Sequence, residues 1–440
     1  MLTELSPPRG MRDIVWQEAE LYEYLFSEFK NAAKKYGFEP IITPTVEHFA
    51  LFEAKSGEEI KKSMYVFEDK AGRLLALRPE VTASVVRAYL KLMRARPKPI
   101  RLYYVAQCFR YEEPQYARYR EFWQGGLEVI GDQDVNADTL VAVTASEFLD
   151  RVGVRHVYEV GNVALYRAFM KKMGVVEEMQ DRVLHLIDKD RVDEAIKELQ
   201  ALVGEKGVEV FKRIISAEDP DKVKDLLQDY KELLSELYDV VMYEQSRLYN
   251  FITALKELGY TARYRPKLVR GLAYYTGLIF EYKVLGAEES PSIGGGGRYD
   301  GLTAVYGGPF EYATGLALGI DRIALALSGN PQYPKAKTVM VVVLGNVPLS
   351  AGYRVLKSIT GYQGTRIKGF TYRPRSLTRG LEYGSRIGCD VVIVIGEKEY
   401  RDNVVLVKEM KTGEQKVVST NEVLDAVLSI LRSGDYSRPK

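Results

Sequence analysis

The segment CFRYEEPQYARYREFWQGGLEVIG, residues 108–131, carries the densest group of side chains that could do chemistry. Arg110 ends one apolar run, and Arg118, Gln124 and Glu128 lie at the start of or within a second run. Residues two or four apart on a strand point to the same face, so Gln124 and Glu128 can share one surface with Arg118 or Arg120 near the start of the strand. The segment alone leaves open a simpler alternative, a solvated edge strand with one polar face.

Two further arginines lie in comparable surroundings. Arg270 precedes a glycine and the nearby pair Tyr274 and Tyr275, and Arg322 lies in the apolar run GLALGIDRIALAL. A lone arginine on an apolar helix usually extends its charged head into water. Three arginines beside small residues, with Arg110 as the third, suit the oxygens of a triphosphate, because guanidinium groups bind phosphate through several donors.

Glu80 and Thr82 lie where a predicted strand passes into a predicted helix, in LALRPEVTASVVRAYL. For Thr82 alone, an N-terminal helix cap is the ordinary role of such a residue. Both residues become candidates for a polar site only together with the three arginines.

Four consecutive glycines, residues 294–297, stand directly before Arg298, Tyr299 and Asp300. A Walker-type phosphate loop requires a Lys-Ser or Lys-Thr pair after its glycines, and none follows here. A flexible linker would have polar flanks, whereas both flanking runs are apolar and look structured. Glycines within a strand often mark a close approach of a ligand or of another backbone, and the sequence favours this third possibility.

The order of the predicted elements indicates an α+β fold with mainly antiparallel strands. Strand-like runs rich in Tyr, Val and Ile occur at RLYYVAQCFRYE, REFWQGGLEVIG and GLIFEYKVLG, and helical patterns interrupt them. This order differs from the regular β-α alternation of a dinucleotide-binding fold. We predict a first domain over residues 1–327 with a helical insertion at 165–245, a linker at 328–337 and a small α/β domain at 338–440.

The composition is that of a soluble globular protein, with 46% hydrophobic and 28% charged residues among 440. No apolar run is long enough to cross a bilayer, and the N-terminal sequence is unlike a secretory signal, so we expect a cytoplasmic location. Cys108 and Cys389 are the two cysteines, and both are expected to be buried thiols because they lie in apolar runs. His48, His156 and His185 show no ligand-like spacing, so no metal site is predicted.

Charge is unevenly distributed along the chain. Residues 336–440 hold 17 basic and 10 acidic residues, a balance of +7, whereas the rest holds 45 basic and 50 acidic residues. A basic domain on an acidic body favours a polyanionic partner, although many solvated faces carry a similar excess.

Taken in order, these segments resemble the motifs of the histidyl-tRNA synthetases, which are class II aminoacyl-tRNA synthetases. GFEPIITPTVE resembles motif 1, with Pro44 as its proline; FRYEEPQYARYREFWQ resembles motif 2; and GLALGIDRIALAL resembles motif 3. LVRGLAYYTGLIFE and IGGGGRYDGL resemble the two signatures of the histidine enzymes, and PPRGMRD fits their N-terminal sequence. The resemblance covers nearly the whole chain, and the C-terminal domain resembles the anticodon-binding domain of that family.

The resemblance implies roles for individual residues. Those implied to bind histidine are Glu80, Thr82, Gln124, Glu128, Tyr274 and Tyr275. Those implied to bind ATP are Arg110, Arg118, Arg270 and Arg322, and the catalytic charge neutralisation is assigned to Arg110, Arg270 and Arg322. Gln115 is implied to lie near the acceptor end of tRNA. The glycine run would form the floor of the amino-acid pocket, held in place by Arg298, Tyr299 and Asp300.

The implied activity is the ATP-dependent ligation of L-histidine to tRNA(His) through a histidyl-adenylate, with Mg²⁺ on the pyrophosphate. The family also implies a homodimer, since motif 1 lies at the two-fold interface of class II enzymes. Two departures are visible: Trp123 stands where many members have His or Tyr, and Ala273 replaces an Asp. Two other functions stay open, the regulatory subunit of ATP phosphoribosyltransferase and a tRNA-sensing module.

Overall fold

In the computed structural model the described residues are 5–54, 62–113, 117–269, 274–327, 333, 335–362 and 366–433. The chain divides into two compact units, residues 1–332 and 333–440. Gln115 and Arg270 lie outside the described residues, as do Ala273 and most of the predicted linker at 328–337.

The first unit is built on an eight-stranded sheet and a small three-stranded sheet. Its strands are β1 (Glu39–Pro40), β2 (Val46–His48), β3 (Val66–Glu68), β4 (Leu74–Leu77), β5 (Ile100–Phe109), β6 (Glu121–Ile130), β7 (His156–Asn162), β8 (Thr261–Tyr264), β9 (Leu278–Val284), β10 (Gly294–Arg298) and β11 (Ala313–Gly319). The large sheet has the order β1-β5-β6-β11-β10-β9-β7-β8, and the small sheet has the order β2-β4-β3. Among the described strands of this first unit, only the two end pairs of the large sheet, β1 with β5 and β7 with β8, are parallel. The predicted α+β class with a mainly antiparallel sheet is confirmed.

Helices of the first unit cover the sheet and form a separate run after β7. They are α1 (Trp16–Lys35), α2 (Phe49–Glu53), α3 (Thr82–Leu92), α4 (Val135–Arg151), α5 (Val163–Lys172), α6 (Glu177–Asp188), α7 (Val192–Ser216), α8 (Pro220–Asp229), α9 (Lys231–Leu234), α10 (Tyr238–Glu257), α11 (Leu302–Val305) and α12 (Ile320–Leu327). Helix α7 is broken at Gly204, whose φ of 70° lies outside the helical range and suits a residue without Cβ. The helical insertion predicted at 165–245 lies within the run from α5 to α10. No helix in the described ranges is both long and apolar enough to span a membrane.

Strands β5 and β6 are neighbours in the large sheet, where they lie between the edge strand β1 and strand β11. Both are rich in β-branched and aromatic residues, which pack well on a pleated surface. Their register pairs Ala106 with Gln124, Tyr104 with Gly126 and Leu102 with Glu128, so the even-numbered residues of both strands share one face. The opposite face packs against α1, where the ring of Phe29 covers Gly125. One face of this strand pair is therefore left for a site.

The second unit is a small α/β domain. Its strands are β12 (Lys337–Val343), β13 (Ile367–Tyr372), β14 (Val391–Ile395), β15 (Val404–Glu409) and β16 (Gln415–Ser419), and its helices are α13 (Leu349–Thr360), α14 (Leu377–Arg386), α15 (Glu397–Arg401) and α16 (Val423–Ser433). The sheet order is β13-β12-β14-β15-β16, with β12 parallel to β13 and β14 and the last three strands antiparallel. Helices α13 and α16 pack on one face and α14 on the other, because the β12 and β14 strands are apolar on both faces.

Candidate active site

A cavity opens on the face of the large sheet to which the even-numbered residues of β5 and β6 point. Eight residues implied to bind substrates line it: Glu80, Thr82, Arg110, Arg118, Gln124, Tyr274, Tyr275 and Arg322. Glu128 lies behind this lining, fully buried, and contacts two residues that belong to it. The structure thus brings together every residue implied to bind histidine or ATP that lies in its described part.

Glu128 is the most enclosed of these groups. Its Oε1 accepts a 2.7 Å hydrogen bond from the Thr82 hydroxyl, and its Oε2 accepts a 2.6 Å bond from the Tyr299 hydroxyl. Gly315 faces it from β11, and a Cβ there would lie 1.8 Å from Oε2. Burial raises the pKa of Glu128 to about 8, although both hydroxyl donors stabilise its charged form. Such a carboxyl group can bind a polar ligand with little competition from water.

Glu80 stands at the N-terminus of α3, with its side chain on the cavity. The backbone N–H of Ala83 donates a 3.0 Å hydrogen bond to Glu80 Oε1, so Glu80 supplies the helix cap that the sequence pattern would give to Thr82. Burial raises the pKa of Glu80, and the backbone N–H donors and the charge of Arg110 oppose this shift. A buried carboxylate that the helix fixes in this way suits a cationic ligand such as an ammonium group.

Gln124 is oriented by a buried thiol. Cys108 Sγ donates a hydrogen bond to Gln124 Oε1 over 3.2 Å, which fixes the amide of a residue that lines the cavity. Burial raises the pKa of Cys108 to about 12, so the thiol keeps its proton and remains a donor. Both cysteines are free and buried, as predicted.

The arginines of the cavity are held by backbone carbonyl groups. Arg110 Nε donates to the Pro79 carbonyl over 3.0 Å, and its guanidinium lies 5.3 Å from the centre of the Phe122 ring. Arg322 donates through Nη1 to the Ser292 carbonyl over 2.6 Å, while Arg118 is exposed at the cavity rim. A hydrogen bond to a neutral carbonyl fixes the Arg110 guanidinium without neutralising it, so this group can still attract phosphate oxygens.

Strand β10 carries the four glycines and forms the floor of the cavity. A Cβ on Gly296 would lie 2.0 Å from the Gly315 carbonyl oxygen, so a side chain there would force β10 and β11 apart. Gly294 and Gly295 line the cavity itself, and a Cβ on Gly294 would lie 2.5 Å from Leu318 Cδ2 and 2.7 Å from the Ala317 carbonyl oxygen, so this glycine also admits the neighbouring strand. The close backbone approach predicted from the glycine run is present.

A buried ion-pair network fixes the end of this strand. Arg298 is fully buried, and its Nε lies 2.8 Å from Asp138 Oδ1. Arg247 of α10 reaches the same carboxylate, with Nη1 3.0 Å from Asp138 Oδ2. Asp300 accepts a 2.8 Å hydrogen bond from the backbone N–H of Ala313, and burial raises its pKa to about 6. These contacts join β10 to α4, α10 and β11, and so hold the cavity floor in one position.

Comparison with known proteins identifies the family to which these motifs belong. A family model described as Histidyl-tRNA synthetase matches residues 10–323, and one described as Anticodon binding domain matches residues 339–430. The histidine–tRNA ligase of Saccharolobus solfataricus is 38% identical over 436 residues, which are 98% of this chain and 100% of that protein. The histidine–tRNA ligase of Sulfolobus acidocaldarius is 36% identical over 434 residues, again 98% and 100%. This chain belongs to the histidyl-tRNA synthetase family.

Solved structures of histidyl-tRNA synthetases share this fold. The enzyme from Nostoc sp. PCC 7120 superposes with a TM-score of 0.76 at 22% identity, covering 98% of this chain and 99% of that one. The apo enzyme from S. aureus gives a TM-score of 0.69 at 26% identity, covering 96% and 99%. The predicted architecture, a class II antiparallel-sheet domain with a small C-terminal anticodon-binding domain, is therefore confirmed.

The cavity is also lined by residues that sequence reasoning did not single out, among them Tyr104, Glu112, Phe122 and Asp321. Glu112 lies two residues after the motif 2 arginine and Asp321 directly before the motif 3 arginine, so their positions in the family motifs could have pointed to them. Asp321 accepts a 2.8 Å hydrogen bond from the Tyr22 hydroxyl and a 2.6 Å bond from the Trp123 backbone N–H. Tyr104 carries no such signal, because it is one aromatic residue among several in an apolar strand.

Trp123 departs from the usual histidyl-tRNA synthetase residue without touching the cavity. As an odd-numbered residue of β6 it points to the opposite face, where its ring lies 4.7 Å from that of Phe26. Tryptophan at this position therefore contributes to the packing of α1 against the sheet and does not line the cavity.

Proposed function

We propose that this protein joins L-histidine to tRNA(His) through a histidyl-adenylate made from histidine and ATP. The observation that carries the proposal is one cavity, in a member of this family, that combines buried carboxyl groups with arginines held by backbone carbonyls. The carboxyl groups suit a small cationic and polar amino acid, and the arginines suit a polyphosphate.

In the first step the histidine carboxylate attacks the α-phosphorus of ATP and pyrophosphate leaves. A carboxylate is already a nucleophile at neutral pH, so the step needs alignment and charge neutralisation rather than a protein base. We assign the α-phosphate to Arg110 and Arg270, the γ-phosphate to Arg322 and the nucleotide more generally to Arg118. These groups neutralise charge that moves to the leaving pyrophosphate.

Mg²⁺ is the cation we assign to this reaction. It usually binds through one or two carboxylates together with substrate phosphates. Glu112 lines the cavity two residues beyond Arg110 and would supply such a carboxylate. When bound, the cation adds positive charge to the pyrophosphate oxygens. In the described residues no set of three His, Cys, Asp or Glu side chains could hold a metal ion unaided.

Histidine is selected by the buried end of the cavity. We assign the substrate ammonium to Glu80 and the imidazole ring to Glu128 and Tyr275. Thr82, Gln124 and Tyr274 complete the pocket. A buried polar site rejects amino acids that leave its groups unpaired, because each unpaired group keeps its desolvation cost.

In the second step the 3′-hydroxyl of the tRNA end attacks the adenylate carbonyl, the histidyl ester forms and AMP leaves. We assign Gln115 to the acceptor end and residues 338–440 to the anticodon arm. The catalytic domain is then residues 1–327, with the insertion at 165–245 and the linker at 328–337. We also propose a cytoplasmic location, because charged tRNA is consumed by ribosomes.

A homodimer through motif 1 is part of the same proposal. Ile42, in the motif 1 segment, is 97% exposed in the single chain. Other apolar side chains exposed on β2, β3 and β4 are Val46, Val66, Phe67 and Leu74. An apolar surface of this kind suits a permanent protein interface. Sedimentation at micromolar concentration should therefore give twice the mass of one chain.

Histidine-dependent exchange of pyrophosphate into ATP tests the first step, and histidine incorporation into tRNA tests the second. We expect both activities, with other amino acids as the control for specificity. A regulatory paralogue of the phosphoribosyltransferase or a tRNA-sensing module would give neither activity, and that result would overturn the proposal.

A further inference from the structure

Tyr104 carries a buried hydroxyl group that the protein leaves unpaired. The residue is 3% exposed and lines the cavity, yet its hydroxyl makes no hydrogen bond of standard geometry within the described part of the chain. Thr82 lies close to it, but their contact lacks hydrogen-bond geometry in either direction, and the Thr82 proton is donated to Glu128. A buried polar group without a partner loses its hydration and gains no hydrogen bond in return, so its presence calls for an explanation.

The backbone makes room for this hydroxyl at Gly126. Tyr104 and Gly126 are directly opposite each other on β5 and β6. A Cβ on Gly126 would lie 2.1 Å from Cζ of Tyr104 and 2.3 Å from its oxygen. The phenol therefore occupies the space above Gly126, between Gln124 and Glu128 on the same face of β6.

The order of residues along β6 fixes what part of a bound amino acid meets the phenol. Arg110, on the phosphate side, lies next to Phe122, and Gln124, Gly126 and Glu128 follow in that order. Gln124 and Glu128 are about 13 Å apart along the strand, since each residue advances about 3.3 Å. Histidine with its carboxylate towards Arg110 and its ring towards Glu128 then has its α-carbon and ammonium group above Gly126.

The electrostatic surroundings of the phenol also favour a cation. Burial, followed by the nearby charges of Glu128 and Glu80, raises the pKa of Tyr104 well above its usual value, so the phenol stays neutral. Its oxygen can accept a hydrogen bond from an ammonium N–H, and the positive charge of that ammonium group would in turn stabilise the ionised form of the neighbouring Glu80 carboxyl group.

We infer that the Tyr104 hydroxyl is a further substrate ligand, which accepts a hydrogen bond from the α-ammonium group of histidine. This inference rests on the proposed function, and it adds Tyr104 to Glu80 as a ligand of that group. Gly126 is the residue that admits the phenol to this position, because any side chain there would displace it.

Tyr104→Phe tests the inference, because it removes only the hydroxyl oxygen. Histidine and imidazole-propionate, which lacks the amino group, are titrated calorimetrically against the full-length protein without ATP. The dissociation constant for histidine should rise about tenfold, as expected when a hydrogen bond to a charged group is removed, and that for imidazole-propionate should change less than about twofold. Tyr103→Phe is the matched control: Tyr103 is a buried tyrosine on the opposite face of the same strand, and neither ligand should respond to its change.

Thermal unfolding separates this role from a structural one. Without ligand, Tyr104→Phe should unfold at the wild-type temperature or above it, because the substitution removes an unpaired buried hydroxyl. Unchanged histidine binding, or equal weakening of both ligands, would overturn the role of Tyr104. Wild-type protein that binds no histidine and exchanges no pyrophosphate would overturn the proposed function and this inference together, whereas normal wild-type exchange confines any failure to Tyr104.

Discussion

The cavity of the first unit and the basic surface of the second unit hold their charges in opposite ways. Glu128 and Glu80 are 0% and 5% exposed, and hydroxyl or backbone N–H donors hold their side chains. The candidate tRNA-binding groups around β13 and the start of α14 are exposed arginines, namely Arg366, Arg373, Arg375 and Arg379. Under the proposed function, the cavity would recognise its small substrates by a few desolvated contacts, and the basic surface would recognise tRNA by many solvated ones.

This difference determines how strongly a single substitution should affect each region. In a desolvated site one group carries a large share of the interaction, because water does not replace it. On a solvated surface each ion pair is weak and screened by salt, and affinity for a polyanion is the sum of several such pairs. Single substitutions should therefore disable the cavity, whereas the basic surface should fail only gradually.

Arg110→Ala is expected to give the largest effect. Removing a positioned cationic donor at the phosphates should lower pyrophosphate exchange roughly hundredfold or more, because an oxyanion-stabilising donor contributes about 3 kcal/mol. The melting temperature should stay near that of the wild type, because the substitution removes one hydrogen bond from Arg110 to a neutral acceptor, the Pro79 carbonyl. Arg191→Ala, at an exposed ion pair on the insertion, is the control and should exchange normally. Near-normal exchange by Arg110→Ala would remove this residue from the chemistry.

The four arginines of the second unit should give a smaller, salt-dependent effect. Changing Arg366, Arg373, Arg375 and Arg379 together to Ala should raise the KM for tRNA roughly tenfold, with pyrophosphate exchange unchanged, because fewer phosphates of the tRNA are then neutralised. The dependence of tRNA binding on salt should also become shallower, by up to about 0.9 in the logarithmic slope for each phosphate that is no longer neutralised.

The same domain offers a matched control with an identical change of charge. Lys398, Arg401, Lys411 and Lys416 are exposed on α15 and the β15–β16 hairpin, at the other edge of the sheet. Changing these four to Ala should leave the KM for tRNA within about twofold of wild type, since distant exposed charges are screened. Equal effects of the two sets would mean that net charge, and not a surface beside β13, drives tRNA binding.

The sequence predicts the cavity well where neighbours in space are also neighbours in the motif. Gln124 and Glu128 share a face because strand geometry has a period of two, and the register with β5 puts the Gln124 end of this face nearest to Arg110. The α+β class follows similarly from local strand and helix patterns. Here the confirmed predictions depend on short-range rules.

The sequence alone does not predict side-chain contacts between residues that are far apart in the chain. Local rules would assign Thr82 to a helix cap, but its hydroxyl meets Glu128 of another element and Glu80 takes the cap. The depth of Glu128 depends on Gly315 in a strand far along the chain. Tyr104 looks like any core aromatic residue until Gly126 opposes it. These features require the three-dimensional register, which a single sequence does not contain.

The smallest expected effect is on the pH dependence of stability, and it comes from a buried histidine, His156, away from both binding regions. An exposed histidine serves as the comparison. His156 is 7% exposed, with its Nε2 2.6 Å from the Ser146 hydroxyl and its Nδ1 3.1 Å from the Val154 carbonyl. Burial lowers the pKa of His156, whereas in the unfolded chain a histidine titrates near 6.5. The folded state therefore favours the neutral ring. This contribution to stability is complete above the unfolded pKa and is lost as pH falls through the folded pKa.

Melting curves between pH 7.5 and pH 5 test this last point. The wild-type melting temperature should fall as the solution is acidified. The fall for His156→Asn should be smaller by a few degrees, because the asparagine side chain does not take up a proton in this pH range. His48→Asn, at an exposed histidine, should keep the wild-type slope. The comparison is made between slopes, because His156→Asn also loses packing and melts lower at every pH. A slope unchanged by His156→Asn would show that burial of a titrating group outside the cavity does not make the folded state sensitive to acid. The contrast between buried and exposed charge would then apply only to the binding regions.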